Sequence, residues 1–583
     1  MTRALLLALS LTACLSVPEG PKQECKVASD CDTANGEVCD EGLCWGNPPE
    51  GTFAAVISPP SDRKDLVSKE LSQVVISDAG WLGDLGLEVP VVFSGHLDAL
   101  CTAPTICDRT KLSATITVTR ASQFHGGPGF KAVVASESSP DGPTFEVALP
   151  RTNPTDASYI VTVVPDGRGE SPSTGGVTAA QIVPPLHLEL AALSSLTAQT
   201  ITLGALDLAS IDGQVMSSTG VGLPEHRIVA LGHWEASAPA TEVSTIDYTG
   251  SDGKFRIVLS KDLVGPVEIV AKPYKNPSLP TLHLFNVPSG SSTQRTLVQP
   301  AGLGNPTSVM FPVRGLVDGG GSVDPVRGAR VRVTASIAPI MVGGVYATFS
   351  AEATTDDAGN ASIDMLDGAT IRDLYKLEVV PPVSSTVGTV FDRSVTLGPQ
   401  ANIMLPSRIA LRGVVKDAQG ELLSDVQVTA RPSLRFTWSL EDKPQAFLSA
   451  IPTPSVLTPK SGEFVLFVDP TVAGVFGTYD LVFEPSAKSG APSWSQGDIA
   501  IAQATDVLLP DVVLPDAARV HGMVTDASGL PVEGSEVKLF RIDPSLALCS
   551  EVSHAPDTCP IPAKLQGRGD SDDRGLVRLT LPR

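Results

Sequence analysis

The nine cysteines are the residues of this sequence whose spacing says most about chemistry. Four of them lie within twenty residues in the spacing C-x5-C-x7-C-x4-C: Cys25, Cys31, Cys39 and Cys44. Zinc ribbons use paired C-x2-C knuckles, and this spacing has none, so disulfide bonds are favoured over a metal. The others are one isolated residue and two close pairs: Cys14, Cys101 with Cys107, and Cys549 with Cys559. Without Cys14 the number is even, which predicts that these eight cysteines form local disulfides in an oxidising compartment.

No other set of residues has the spacing of a catalytic site. None of the eight histidines begins an H-x-x-E or H-E-x-x-H motif, and there is no G-x-S-x-G nucleophile elbow. His226 and His233 have Asp212 and Glu235 nearby in sequence, which allows a metal site but favours surface or edge histidines. We therefore predict no enzyme, no catalytic residue, no metal and no cofactor.

Two further residue types could bind ligands. Asp356-Asp357 and Asp572-Asp573 could offer oxygen ligands to Ca²⁺, but each pair lacks the several-carboxylate loop of a calcium site, so hairpin turns are favoured. Aromatic faces suit sugar rings, and core or loop positions are the competing interpretation for the three tryptophans concerned: Trp234, Trp438 and Trp494.

The first residues have the pattern of an export signal. Arg3 precedes the apolar run Ala4 to Leu11, which is much shorter than the roughly 20 residues that span a bilayer. The sequence Leu11-Thr12-Ala13-Cys14 resembles the lipobox of bacterial lipoproteins, in which the cysteine sulfur receives a diacylglyceryl group and the new amino terminus is acylated. An ordinary signal peptide cut a few residues later is the alternative.

This resemblance implies a protein attached to the cell envelope through palmitate-type lipid on Cys14. Two or more acyl chains are needed for stable anchoring, and lipoprotein processing supplies them. Residue 15 is leucine, not the aspartate that retains Gram-negative lipoproteins at the inner membrane. The expected location is therefore the outer membrane rather than the inner one, in the periplasm or exposed at the surface.

Composition limits the classes of protein that this chain can belong to. Its 583 residues are enough for several domains, and its 52 glycines and 49 prolines indicate many turns between short strands. The formal net charge is −22, and an acidic protein repels the phosphate backbone, so nucleic acid is not an expected partner.

After residue 90 the chain repeats one design five times. Each repeat opens with an alternating strand that has a central glycine: Gly95, Gly213, Gly315, Gly413 and Gly522. A second alternating strand follows, then a turn with a third strand, as in "SDGKFRIVL", and four repeats close with a strand such as "YIVTVVP". Alternation with short turns predicts small antiparallel β-sandwiches. The central glycine predicts a bulge or a close approach of two backbones.

This order of strands resembles the carboxypeptidase regulatory-like, or transthyretin-like, β-sandwich over about residues 90–583. Sandwiches of this family accompany metallocarboxypeptidases but hold no catalytic zinc, so the resemblance implies no peptidase activity. The segment Cys25 to Cys44 is too short for a hydrophobic core and resembles small cysteine-rich extracellular modules. Four cysteines allow three pairings, and that resemblance implies Cys25–Cys39 with Cys31–Cys44.

The predicted fold is therefore all-β: a tandem array of small antiparallel sandwiches preceded by a short disulfide-held module. The expected segments are a signal peptide 1–13, a tether 14–24, a cysteine-rich module 25–44, a linker with one strand 45–90, and sandwiches at 91–205, 206–307, 308–406, 407–515 and 516–583. We expect each sandwich to have its own core, with short linkers such as "LPSRIA" (405–410) and "LPDAAR" (514–519) between neighbours.

The two ends of the array do not match this simple scheme. "TFAAVISPP" reads like a closing strand with no repeat before it, and the last repeat has no closing strand after "VRLTLP". Either the first strand adds an edge to the first sandwich, or the fifth sandwich is an incomplete cap. The function that fits is a non-enzymatic, membrane-anchored envelope lipoprotein that contacts envelope proteins or glycans. The alternative is a carbohydrate-binding surface lipoprotein.

Overall fold

The computed structural model describes residues 25–99, 113–124, 127–139, 142–151, 159–165, 183–190, 196–203, 208–235, 240–275, 279–289, 293–317, 322–337, 344–440, 451–472, 474–486, 489–501, 506–542 and 563–583. Within these residues almost all regular structure is β-strand, with one short α-helix (α1, Leu434–Trp438). The predicted all-β class, with a disulfide-held module before a series of sandwiches, is confirmed.

The cysteine-rich module contains two 3₁₀ turns (Ala28–Asp30 and Thr33–Asn35) and a hairpin of β1 (Val38–Asp40) and β2 (Leu43–Trp45). Its disulfides are Cys25–Cys39 and Cys31–Cys44, with Cα–Cα distances of 5.9 and 5.6 Å. This is the pairing that the resemblance implies. The next three strands are β3 (Thr52–Ser58), β4 (Lys69–Val74) and β5 (Trp81–Gly86).

The first sandwich shows the plan that the others follow. Its seven strands are β6 (Val91–Ala99), β7 (Ala114–Arg120), β8 (Phe130–Ala135), β9 (Thr144–Leu149), β10 (Tyr159–Pro165), β11 (Leu186–Leu190) and β12 (Leu196–Leu203). One sheet has the order β12-β6-β9 and the other β11-β10-β7-β8. The strand β12 runs parallel to β6, so the sandwich is not antiparallel throughout as the sequence analysis expected.

The second and third sandwiches repeat this plan. The second contains β13 (Leu208–Met216), β14 (His226–His233), β15 (Thr241–Glu242), β16 (Asp247–Tyr248), β17 (Lys254–Ser260), β18 (Val264–Pro273), β19 (Thr281–Val287) and β20 (Thr293–Val298). The third contains β21 (Leu303–Val317), β22 (Ser322–Pro325), β23 (Arg330–Ile337), β24 (Val345–Thr354), β25 (Asn360–Gly368), β26 (Lys376–Val380), β27 (Val390–Ser394) and β28 (Ile403–Leu405).

The fourth sandwich contains β29 (Ile409–Lys416), β30 (Val426–Pro432), β31 (Ser455–Leu457), β32 (Glu463–Val468), β33 (Thr471–Val472), β34 (Val475–Phe476), β35 (Thr478–Pro485), β36 (Trp494–Ala500), β37 (Val507–Leu508) and β38 (Val512–Val513). The C-terminal part of the fifth contains β39 (Ala517–Thr525), β40 (Glu536–Ile542), β41 (Lys564–Asp570) and β42 (Leu576–Pro582).

The central glycine of the opening strand permits a close approach of backbones, as predicted. A Cβ added to Gly95 would lie 1.9 Å from the carbonyl oxygen of Gln199 on the parallel strand β12. A Cβ added to Gly213 would lie 2.6 Å from the carbonyl oxygen of Arg295 on β20. The glycine therefore allows the last strand of each of these sandwiches to pair with the first.

The fifth sandwich is completed by the strands near the beginning of the chain. Strand β3 pairs antiparallel with β40, giving the sheet β4-β3-β40-β41, and β5 pairs parallel with β39, giving the sheet β42-β39-β5. Both alternatives from the sequence analysis are therefore wrong. Residues 45–90 are not a linker with one strand, and the fifth sandwich is not incomplete, because its last three strands are β3, β4 and β5.

The second and third sandwiches are joined by main-chain pairing. Strand β19 pairs antiparallel with β24, from Thr281 opposite Thr348 to Leu284 opposite Val345. The two outer sheets thereby become one nine-stranded sheet, and one hydrophobic core runs from Ile211 to Leu405. The expectation of a separate core in each sandwich is wrong here, because edge-to-edge pairing brings the two buried faces into contact. The first, fourth and completed fifth sandwiches each have their own core.

Candidate functional site

A polar cleft lies between the first and fifth sandwiches. Its volume is about 370 Å³, and its walls are Val67–Gln73, Glu88, Arg120, Gln123, Pro150 and Arg151. The residues from 67 to 73 belong to β4 and the approach to it, so the fifth sandwich supplies one wall. Strand β7 of the first sandwich, and the turns that follow β7 and β9, supply the other.

Arg120 lies at the bottom of this cleft with only 4 % of its surface exposed. Its Nη1 atom donates to the Tyr159 hydroxyl over 3.3 Å, and the guanidinium lies over the Tyr159 ring at 5.4 Å. Its Nε atom is buried without a hydrogen-bond partner among the described residues. No described carboxylate is within ion-pair distance of it, whereas a buried cation is normally paired with an anion.

The opposite wall carries carboxylates that already have partners. Glu70 is buried and accepts hydrogen bonds from the Ser122 hydroxyl (3.1 Å) and the Gln123 amide (2.8 Å), which connect the two sandwiches. Glu88 forms an ion pair with Lys69 at 2.8 Å. Among the described residues, the charged side chains that line the cleft are three cations (Lys69, Arg120, Arg151) and two anions (Glu70, Glu88). Their formal net charge is +1, in a protein of net charge −22.

Sequence reasoning missed Arg120, although the sequence carries a signal. Strand β7 alternates strictly, and its inward side chains are Ala114, Ile116, Val118 and then Arg120. A charged residue at an inward position breaks the apolar pattern, and such breaks mark functional or strained positions more often than ordinary core. No local pattern predicts that β4, which is a strand of the fifth sandwich, forms the facing wall.

The histidine and acidic residues considered for a metal are not brought together. His226 and His233 lie at opposite ends of β14, about 23 Å apart along an extended strand and on opposite faces. Burial lowers the pKa of His226, whose Nδ1 is 2.9 Å from the Pro224 carbonyl oxygen. Glu235 faces His187 at 3.7 Å, and Asp212 faces Arg256 at 3.7 Å. The expectation of surface or edge histidines is wrong for His226, which is 2 % exposed, and His233 is half-buried.

The acidic pairs considered for Ca²⁺ lie in hairpin turns. Asp356 accepts a hydrogen bond from the Asn360 amide, and Asp357 forms an ion pair with Arg327 at 2.8 Å. Asp572 accepts from the Leu576 amide and pairs with Arg578. Their carboxylates thus hold the turns and the adjoining strands.

The tryptophans make contacts between parts of the chain. Trp234 stacks on His187 of the first sandwich with ring centroids 5.3 Å apart. Trp494 lies under the ammonium group of Lys564 of the fifth sandwich, 5.7 Å from its ring centroid. The side chain of Trp438 lies outside the described residues. Trp234 is therefore half-buried in a contact between two sandwiches, whereas Trp494 contacts Lys564 and is still 37 % exposed.

Five of the predicted site residues lie outside the described residues: Cys14, Cys101, Cys107, Cys549 and Cys559. Lipid attachment and the two later disulfides therefore stay predictions. Within the described residues, the one close group of three potential metal ligands consists of Cys25, Cys31 and Cys44, whose sulfurs are all in disulfides. Among the described helices none has the length and apolar character to cross a bilayer.

Comparison with known proteins does not assign this chain to a family. No protein-family model matches, so membership of the carboxypeptidase regulatory-like family stays a prediction. No curated protein matches either. Solved structures do match. A streptococcal ancillary pilin is 10 % identical, with 54 % of this chain and 99 % of that chain covered and a TM-score of 0.19.

The shaft pilin SpaA from Lactobacillus rhamnosus GG is 13 % identical, with 36 % of this chain and 97 % of that chain covered and a TM-score of 0.18. The Bacillus anthracis TIE protein is 10 % identical, with 73 % and 74 % covered and a TM-score of 0.14. At these identities and TM-scores the similarity carries no argument about function, which rests on the residues described above.

Proposed function

We propose that this protein is a non-enzymatic lipoprotein of the cell envelope, in which a closed array of five sandwiches serves as a structural or interaction platform. The observation that carries the proposal is the completion of the fifth sandwich by β3, β4 and β5. The array therefore begins and ends in one folded unit.

Contacts between neighbours support a platform rather than a flexible string. His187 contacts Trp234 between the first and second sandwiches, and β19 pairs with β24 between the second and third. Thr389 of the third sandwich donates to Asp469 of the fourth. Lys564 contacts Trp494 between the fifth and fourth, and Phe540 contacts Phe124 between the fifth and first. The contacts thus form a closed cycle.

The position of the cysteine-rich module indicates which part would face the membrane. One ring contact and two ion pairs hold this module against the fifth sandwich. The ring contact joins Trp45 and His521, and the ion pairs are Glu41 with Arg578 and Glu37 with Arg583. A lipid on Cys14 would be joined to it by the tether 14–24, which spans at most about 40 Å when extended. The fifth sandwich would therefore lie next to the bilayer.

Lipid attachment is tested by the intact mass of the mature protein and by membrane fractionation. We expect a chain that begins at Cys14 and carries acyl mass, and we expect Cys14→Ser to release the protein or stall its processing. Ser16→Ala is the control outside the lipobox. A mature protein without acyl mass would contradict the anchor. We expect the wild type in the outer membrane and the Leu15→Asp variant in the inner membrane. The same distribution for both proteins would contradict the outer-membrane location.

A glycan-binding function on Trp234, Trp438 or Trp494 is the second candidate. Trp234 gives it no support, because its ring is stacked on His187. Trp494 is 37 % exposed with the ammonium group of Lys564 over its ring, which leaves it as the single exposed indole of this candidate among the described side chains. Any saccharide binding by this protein is better sought where polar groups lack partners.

A further inference from the structure

We propose that the cleft between the first and fifth sandwiches binds a small, singly charged organic acid that carries several hydroxyl groups, a sugar acid, with its carboxylate on Arg120. This goes beyond the proposed function, because it assigns a ligand and a site that a purely structural platform does not need.

Arg120 is a buried cation without an anionic partner among the described residues. Its side chain is almost fully buried, and its Nε has no hydrogen-bond partner in that part of the chain. Its Nη1 contacts the Arg151 carbonyl oxygen and the Tyr159 hydroxyl, and its guanidinium lies over the Tyr159 ring. A cation–π contact compensates only part of the lost hydration of a guanidinium. A carboxylate is the group whose geometry matches the two parallel N–H donors that an arginine offers.

The charge balance of the cleft favours a single negative charge on the ligand. The facing wall contains Glu70 and Glu88, and the five charged side chains among the described lining residues have a net charge of +1. A doubly charged phosphate would be repelled by Glu70, which lies buried and bonded to Ser122 and Gln123. One carboxylate would neutralise the cleft.

The size and lining of the cleft indicate the rest of the ligand. A volume of about 370 Å³ is larger than a simple inorganic ion requires and lies within the range of small-molecule sites. Hydroxyl and amide side chains line the cleft beside the charged ones: Ser68, Ser72, Gln73 and Gln123. These groups donate and accept hydrogen bonds as sugar hydroxyls do.

The test is calorimetric titration of the full-length, oxidised protein with glucuronate, and with glucose, acetate and inorganic phosphate as comparators. We expect glucuronate to bind and glucose, which has the same ring without the carboxylate, to bind at least about tenfold more weakly. Acetate should be equally weak. Tighter binding of phosphate than of glucuronate, or no binding of glucuronate, would overturn the proposal.

Two variants assign the binding to this cleft. Arg120→Gln should weaken glucuronate binding by about tenfold or more, because it removes the charge. Ser72→Trp fills the cleft from an exposed position of β4 and should abolish binding while the fold and Arg120 are kept. Arg393→Gln, at an exposed site on β27, is the matched control and should bind as the wild type does. Unchanged affinity in Ser72→Trp would place the ligand elsewhere and overturn the assignment.

Discussion

The Nε atom of Arg408 donates to Asp469 Oδ1 over 3.1 Å, and both side chains are almost completely buried. Arg408 belongs to the linker 405–410, and its Nη1 also donates to the carbonyl oxygens of Val383 and Ser385 in the third sandwich. Asp469 belongs to the fourth sandwich and also accepts from the Thr389 hydroxyl. A segment that reads as a spacer thus fixes two sandwiches together.

Replacing Arg408 by methionine should destabilise the protein strongly. The change leaves the Asp469 carboxylate buried without its cation, which costs about 3–5 kcal/mol. Arg412→Met, on the strand that directly follows Arg408, is the matched control, because the ion pair of Arg412 with Asp506 is half exposed and is worth at most about 1 kcal/mol. Urea unfolding of both variants measures the difference. Equal free energies of unfolding would show that the buried pair does not hold this junction.

A charge on β3 should unfold strands at the far end of the sequence. Ala55 is 1 % exposed and lies opposite Leu539 in the register of β3 and β40. Ala55→Asp buries an unpaired carboxylate, so we expect a loss of about 3 kcal/mol. Hydrogen exchange should then speed up in β40 and β41, and the third and fourth sandwiches should keep their protection.

Val75→Asp is the control for this prediction, because Val75 directly follows β4 and is 75 % exposed. It should leave the exchange of β40 and β41 unchanged. If Ala55→Asp altered only residues 52–86, the fifth sandwich would be stable without the N-terminal strands, and the closure of the array would be wrong.

Truncating a core phenylalanine should show whether a sandwich shares its core with a neighbour or has a core of its own. Phe349 is buried against Tyr375 in the core common to the second and third sandwiches, and Phe464 is buried against Phe483 in the fourth. Each change to alanine should cost about 3–5 kcal/mol. Phe349→Ala should lower exchange protection in β14 and β18 of the second sandwich as well, whereas the effect of Phe464→Ala should stay within the fourth. If Phe349→Ala lowered exchange protection only in the third sandwich, the second and third sandwiches would not share a core.

Much of the fold could be predicted because its signals are local. Alternating strands, turns and the glycines of the opening strands repeat five times, and the buried Tyr375 and Tyr479 come from the recurrent closing strand. In both cases the hydroxyl donates to a carbonyl oxygen nine or ten residues earlier, at Leu366 and Asp469. Repetition in register made one sandwich readable from sequence.

What could not be predicted depends on contacts between distant residues. The sequence shows that "TFAAVISPP" is a closing strand, but its partner β40 begins at Glu536, and no local rule selects that pairing over the first sandwich. The pairing of β19 with β24 and the cleft at Arg120 could not be predicted for the same reason. Each forms between strand edges or loops of different repeats, and neither the periodicity nor the residue spacing of one repeat indicates which other repeat it contacts.

Acidification should weaken the attachment of the cysteine-rich module. His521 lies between the rings of Trp45 and Trp81, at 5.0 and 5.1 Å, and burial is the main cause that lowers its pKa below the ordinary value of about 6.5. Asp40 and Glu41 oppose this shift and Arg578 adds to it. The unfolded chain takes up a proton on this imidazole near pH 6.5 and the folded protein resists it. The free energy of unfolding is therefore highest above that pH and falls as the pH drops through 6.5 toward the lower folded pKa.

The measurement is urea unfolding of the wild type and His521→Gln at pH 7.5 and 5.5. We expect the variant to lose part of the difference between the two pH values and to keep the remainder, because burial also lowers the pKa of His187 and His226. Lys26→Gln, an exposed change within the cysteine-rich module, should retain the full wild-type difference. If His521→Gln has the same pH dependence as the wild type, the imidazole between the two indoles does not couple protonation to folding.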